Sequence, residues 1–360
     1  MDIVRQLIDR LVGGTARVAP DTQEAEASAS AIAPAPEQET LERAEEVPIE
    51  PPKPCDSPDT GELVPGETVT TAPDEPETAV VAPENEPATC EAAPEPTRSL
   101  NRPALQNHRF DVRNFQLVRY GNDELEWEDA FAHDERSGTF AIADGASAGI
   151  FVKAWARILT ESYVSTQMDL GDTSNREAWL RDCLREWRAG FDYPSLRWTQ
   201  QVKVDDVGGA ATFLSLEFRE RTETADDSAP VTSVTWQSWA VGDCCLFHLR
   251  DGQLLSSFPL TRAEEFGSAP PLLRSKLAAG IPEPVRAEGE ARPGDLFVLA
   301  TDAVAQALLA QALDGEGPLD WDGLVQLETE AWREMIATWR AEGRIVNDDA
   351  TMLAVRILTR

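Results

Sequence analysis

The sequence predicts an α+β domain over residues 106–360, preceded by a short helix at 1–14 and a disordered acidic, Pro-rich linker at 15–105. Two observations predict it. Composition breaks near residue 100, because the first hundred residues hold 15 of the 25 prolines and set 22 acidic residues against 6 basic ones. Beyond that point, apolar segments of strand length come in adjacent pairs with helical segments grouped between them. That is the pattern of antiparallel sheets with helices packed outside.

At the N-terminus Ile3, Val4, Leu7, Ile8, Leu11 and Val12 recur at helical spacing until Gly13-Gly14 stops them. An amphipathic helix ahead of a long tail suits docking on a partner. From Pro20 to Pro96 no periodic apolar pattern exists, so little buried area is available to offset the entropy of ordering.

From Phe110 the pattern is globular. Strands are expected at Phe115–Tyr120 and Thr139–Ala143, then a helix over 147–167 with Phe151, Ala154, Ile158 and Leu159 on one face. Ser174 is suited to cap a second helix running to Ala189. Strands follow at Ala211–Phe218 and Thr232–Val241. Cys244–Leu249 and Gln253–Ser257 form a hairpin around Asp251-Gly252. Thr261 to Arg292 is apolar-poor and reads as a loop. Asp295–Thr301 is a buried strand, Asp302 caps a helix to about Ala312, one long helix spans Trp321–Ala341, and Thr351–Leu358 closes the domain.

The bulk numbers exclude several functions. A formal net charge of −32 opposes nucleic acid and anionic membrane as partners, and suits divalent cations. No apolar run reaches membrane-spanning length, and the N-terminus lacks the charge and apolar pattern of a secretion signal. Cys55, Cys90, Cys183, Cys244 and Cys245 are sparse and odd in number, which points to a reducing cytoplasm. Three histidines argue against a His-rich zinc site.

Acidic residues stand at or beside five of the expected strand ends: Glu128-Asp129, Asp144, Asp243, Asp302 and Asp348-Asp349. Each alone reads as a turn, a cap or solvated surface. Together, if the strand ends converge, they supply the oxygen ligands that Mg²⁺ or Mn²⁺ require.

Five segments resemble, in order, the blocks of the metal-dependent protein phosphatase 2C family (PPM type), in a divergent bacterial-type form. They are WEDAFAHDERSGTFAIADGAS from Trp127, DVGGAATFLSLEF from Asp206, SWAVGDCCLFHLRDGQL from Ser238, GDLFVLATDAVAQALL from Gly294 and NDDATMLAVRI from Asn347. The resemblance implies a four-layer α-β-β-α sandwich of two antiparallel sheets, with two Mg²⁺ or Mn²⁺ ions between them and a third held more weakly. It makes Asp144 the carboxylate bridging both metals, Glu128 and the Gly145 carbonyl ligands of one, Asp302 and Asp348 ligands of the other, and Asp243 a contributor to the third. Asp129 and Asp349 would stand behind the ligands and orient them. The activity implied is hydrolysis of phosphoserine or phosphothreonine in proteins by a hydroxide bridging the metals, with Asp144 and Asp302 central, on a substrate phosphorylated by a Ser/Thr kinase. The region of Thr261–Arg292 would be a mobile flap beside the cleft.

The chain also departs from the family. Glu124 stands where the family carries a phosphate-gripping Arg, with Arg113, Arg119 and Arg136 as candidate substitutes. Ala146-Ser147 follow Asp-Gly, and Ala303 follows Asp302. The alternative function is therefore a catalytically impaired phosphatase-like module that binds a phosphoprotein.

Overall fold

A computed structural model describes residues 104–223, 231–314 and 319–359. The expected helix at 1–14 and nearly all of the expected linker at 15–105 lie outside those residues. One five-stranded antiparallel sheet has the order β1-β12-β11-β7-β8, formed by β1 (His108–Leu117), β7 (Cys245–Arg250), β8 (Gln253–Phe258), β11 (Leu296–Ala300) and β12 (Ala350–Thr359). The other has the order β10-β6-β5-β3-β2, formed by β2 (Ala130–Asp134), β3 (Thr139–Ala143), β5 (Phe213–Glu223), β6 (Val231–Val241) and β10 (Val285–Ala291). A two-stranded piece joins β4 (Ala210–Ala211) to β9 (Leu273–Arg274).

Side-chain alternation along the strands builds three apolar layers. On β11, Phe297 and Leu299 face the other sheet, where they join Phe140, Ile142, Leu214 and Leu216. Val298 and Ala300 face the opposite way, onto α4 (Asp302–Asp314), α5 (Trp321–Val325) and α6 (Thr329–Ala341). On β3, Ala141 and Ala143 face α1 (Val152–Thr166), α2 (Thr173–Ala189) and α3 (Trp198–Asp206), whose Trp155, Trp179 and Trp187 are buried. The result is the four-layer sandwich. Because both faces of the central strands are buried, they read as continuous apolar runs such as LFVLA and TFAIA.

Several expectations are corrected. Residues 321–341 form two helices, because Glu328 is extended between them and Leu327 turns into the core. Asp172 caps α2 in place of Ser174, its carboxylate accepting from the Asn175 N–H. The 147–167 helix starts only at Val152, after the left-handed Phe151. The apolar-poor stretch of 261–292 contains an edge strand, β10. There Gly289 lies against the Trp236 ring, which a Cβ would meet at 2.9 Å. The hairpin is as expected, with Asp251 and Gly252 both at positive φ.

Candidate metal centre

The strand register brings the acidic strand ends together. Ala130 pairs with Ala143, so Glu128-Asp129 and Asp144-Gly145 end adjacent strands. In the facing sheet Ala300 pairs with Met352 on one side and Cys245 on the other, so Asp302, Asp348-Asp349 and Asp243 lie at the corresponding edge.

Asp129 is buried, and its Oδ2 accepts from the Thr301 and Thr351 hydroxyls at 3.0 and 2.6 Å. It therefore ties the two sheets together. Asp349 accepts from the Glu128 N–H at 2.6 Å and the Arg119 N–H at 2.8 Å, which fixes the backbone on both sides of the intervening turn. Ser147 donates to Glu128 Oε2. Gly145 lies so close to the Glu128 carbonyl that a Cβ would meet it at 2.7 Å. Gly242, at φ +101°, packs against Thr212 and turns the chain to Asp243. Thr212 in turn accepts from the Asp144 N–H and bonds Cys244. Cys244 and Cys245 are both buried, on opposite faces of their sheet, and burial pushes both thiols up, Cys245 to about 12. Neither is poised as a reactive thiolate.

Of the candidate substitutes for the absent phosphate-binding arginine, Arg119 reaches the carboxylates. Its guanidinium lies 3.0 Å from Ser147 Oγ, 3.5 Å from Glu128 Oε2 and 3.8 Å from Asp348 Oδ1. Arg113 donates instead to the Val325 carbonyl, and Arg136 lies beyond the far end of β2. Glu124 points outward from a single 3₁₀ turn toward Arg333. The eight residues between Arg119 and Glu128 loop out, so spacing from the glutamate misleads.

Four of these carboxyls, Asp129, Asp144, Asp243 and Asp302, are held above the usual range. Burial, then the charges of Asp129 and Asp302, hold Asp144 well above the usual range. Burial also raises Asp129, with the charge of Asp349 adding to it. Asp302 is pushed up to about 7, by burial first and by Asp243 second. Burial lifts Asp243 to about 6. Asp129 Oδ1 and Asp243 Oδ1 are buried without a hydrogen-bond partner.

No family model and no curated protein matches the chain. Solved structures do. "PppA, a key regulatory component of T6SS in Pseudomonas aeruginosa" is 15% identical, covering 70% of this chain and 100% of its own, at a TM-score of 0.46. The Mycobacterium tuberculosis serine/threonine phosphatase PstP/Ppp is 18% identical, covering 71% and 100%, at 0.40. The PPM Ser-Thr phosphatase MsPP from Mycobacterium smegmatis is 17% identical, covering 71% and 99%, at 0.37. Likenesses this distant assign no activity, which has to come from the residues.

Among the described residues, no three His, Cys, Asp or Glu side chains close on a common point as a metal-binding group would. The donor chemistry nevertheless fits hard cations. The groups are carboxylates, two of their buried oxygens lack hydrogen-bond partners, and burial with like charge holds Asp144 and Asp302 above the usual range. No described helix is long and apolar enough to cross a membrane.

Proposed function

We propose that the chain is a divalent-cation-dependent phosphatase acting on phosphoserine or phosphothreonine in proteins. The observation that carries this reading is a set of buried and half-buried, mutually repelling carboxylates at neighbouring strand ends, with Arg119 among them. Two Mg²⁺ or Mn²⁺ ions held by Glu128, Asp144, the Gly145 carbonyl, Asp302 and Asp348, with a weaker third at Asp243, would supply a water of lowered pKa and spread the charge of the transferring phosphoryl group.

The chain's own residues do the rest. Arg119, released from Glu128 and Asp348, offers its planar donors to the phosphate oxygens. Asp129, held by Thr301 and Thr351, orients Asp144. Asp349 fixes the backbone that carries Glu128 and Arg119. Ser147 steadies the Glu128 carboxylate. The substrate class is a phosphoprotein made by a Ser/Thr kinase. The free, buried Cys183, Cys244 and Cys245 suit a reducing compartment such as the cytoplasm.

A second reading is a phosphoprotein-binding module without turnover. It is favoured by Glu124, which stands where the resemblance expects a phosphate-gripping Arg and points toward Arg333, and by Ala146-Ser147 after Asp-Gly. Hydrolysis of a phosphothreonine peptide with Mn²⁺, with EDTA, and by Asp302→Asn decides between them. The phosphatase reading expects Mn²⁺-dependent turnover that falls about a hundredfold or more in the variant. No turnover by folded, Mn²⁺-loaded protein would leave the binding module.

A further inference from the structure

Beside the candidate metal centre is a cavity of about 760 Å³, between the end of β1, the turn after it and α6. Leu117, Val118, Ala337 and Ala341 give it an apolar lining. Tyr120, which is 86% exposed, lies on its wall, and Val346, 61% exposed, precedes the lining residue Asn347 in the chain. Large exposed apolar groups beside an apolar concavity mark a binding surface.

The cavity and the metal centre share structure. Arg119 lines the cavity, and its guanidinium contacts Ser147, Glu128 and Asp348. Asn347, which also lines it, precedes Asp348 and exchanges hydrogen bonds with the Tyr120 backbone. Arg340 donates to the Leu117, Val118 and Asp348 carbonyls, binding the cavity's inner wall to the Asp348 turn. A phosphate bound at Arg119 therefore lies beside residues that line the cavity.

Charge indicates what the cavity is for. The chain carries −32, so long-range electrostatics oppose a phosphorylated partner. Affinity must come from contacts that do not depend on net charge, and an apolar cavity beside a local cation provides one. We propose that this cavity receives an apolar side chain of the phosphoprotein substrate, a few residues from the phosphorylated one. This rests on the phosphatase reading and adds a substrate preference to it.

The test uses labelled peptides carrying a non-hydrolysable phosphonate analogue of phosphothreonine. One series has leucine at a single flanking position, and the parent has alanine throughout. Anisotropy on the full chain with Mn²⁺ should show leucine at one position tightening Kd about tenfold. Ala337→Trp fills the cavity from an exposed position and should erase that preference. Ala341→Trp fills it from the next turn, so that a folding defect in one variant does not decide the matter. Equal binding of all peptides, or a preference that survives both variants, overturns the proposal and leaves the cavity to another occupant, such as the apolar segment of residues 3–12 of this chain. Mn²⁺-dependent hydrolysis of p-nitrophenyl phosphate, measured in parallel, separates the two readings. Its absence counts against the phosphatase, while the leucine preference alone decides the cavity.

Discussion

Strand β11 is preceded by Asp295 and followed, one threonine later, by Asp302, and the two carboxylates live under opposite conditions. Asp295 accepts from His248 Nε2 at 2.9 Å, Arg250 Nε and Nη2 at 2.7 and 2.8 Å, and the Arg292 N–H at 2.9 Å. Burial pushes its carboxyl upward, but the bonds from Arg250 and His248 more than offset this and hold it below the usual range. Asp302 accepts the Ala303 N–H and faces Asp243 and Asp348, so burial and like charge push it up to about 7. One end of the strand has its charge compensated by the fold. The other leaves it uncompensated, which is what a site for cations from solution requires.

Removing the charge at each end should break the comparison most sharply. Asp295→Ala leaves His248 and Arg250 without their acceptor and should cost about 3 kcal/mol in urea unfolding. Asp302→Asn, measured in EDTA, removes a carboxylate that burial and Asp243 disfavour and should stabilise. Equal losses in the two variants would mean that both carboxylates are structural.

The next largest effect concerns Arg119, which lies among the acids. Arg119→Ala should raise KM for a phosphothreonine peptide about tenfold or more, through the loss of a charge-assisted bond to phosphate. Mn²⁺ affinity should hold or improve, because Glu128 and Asp348 lose a competitor. Weaker Mn²⁺ binding with unchanged KM would make Arg119 a structural clamp.

A smaller effect is the pH dependence of stability without metal. Asp302 and Asp243 are raised to about 7 and 6 from an ordinary value near 4. Between those limits the folded chain binds more protons than the unfolded one. Their contribution is fully present below about pH 4 and is lost as pH rises through about 7. In EDTA, Tm should therefore fall from pH 5 to pH 8, and Mn²⁺ should reverse the fall. A Tm that rises over that interval in EDTA would contradict the raised values.

What the sequence reveals divides along physical lines. The α+β class, the central strands and the Asp251-Gly252 hairpin are local signals, and they read correctly. The acidic strand ends are visible because each follows or precedes a long apolar run. Pairings between distant strands are not local. Thr301 and Thr351 meet over Asp129 only through the register of β11 with β12 and the closure of the two sheets, and neither residue signals this alone. Arg119 was one of three candidates, and the looped-out turn after it hides its proximity to Glu128. Edge strand β10 has too few apolar residues to show a period, since Gly289 makes room for Trp236. The break between α5 and α6 is hidden because Leu327 is apolar at a position that continues the helical stripe.

The most direct test of the central claim is calorimetric titration of the full chain with Mn²⁺ at pH 7.5, alongside Asp144→Asn. The account predicts saturable binding that releases protons from the raised carboxyls, with its tight component lost in the variant. Binding that is absent, or indistinguishable between the two proteins, would contradict it.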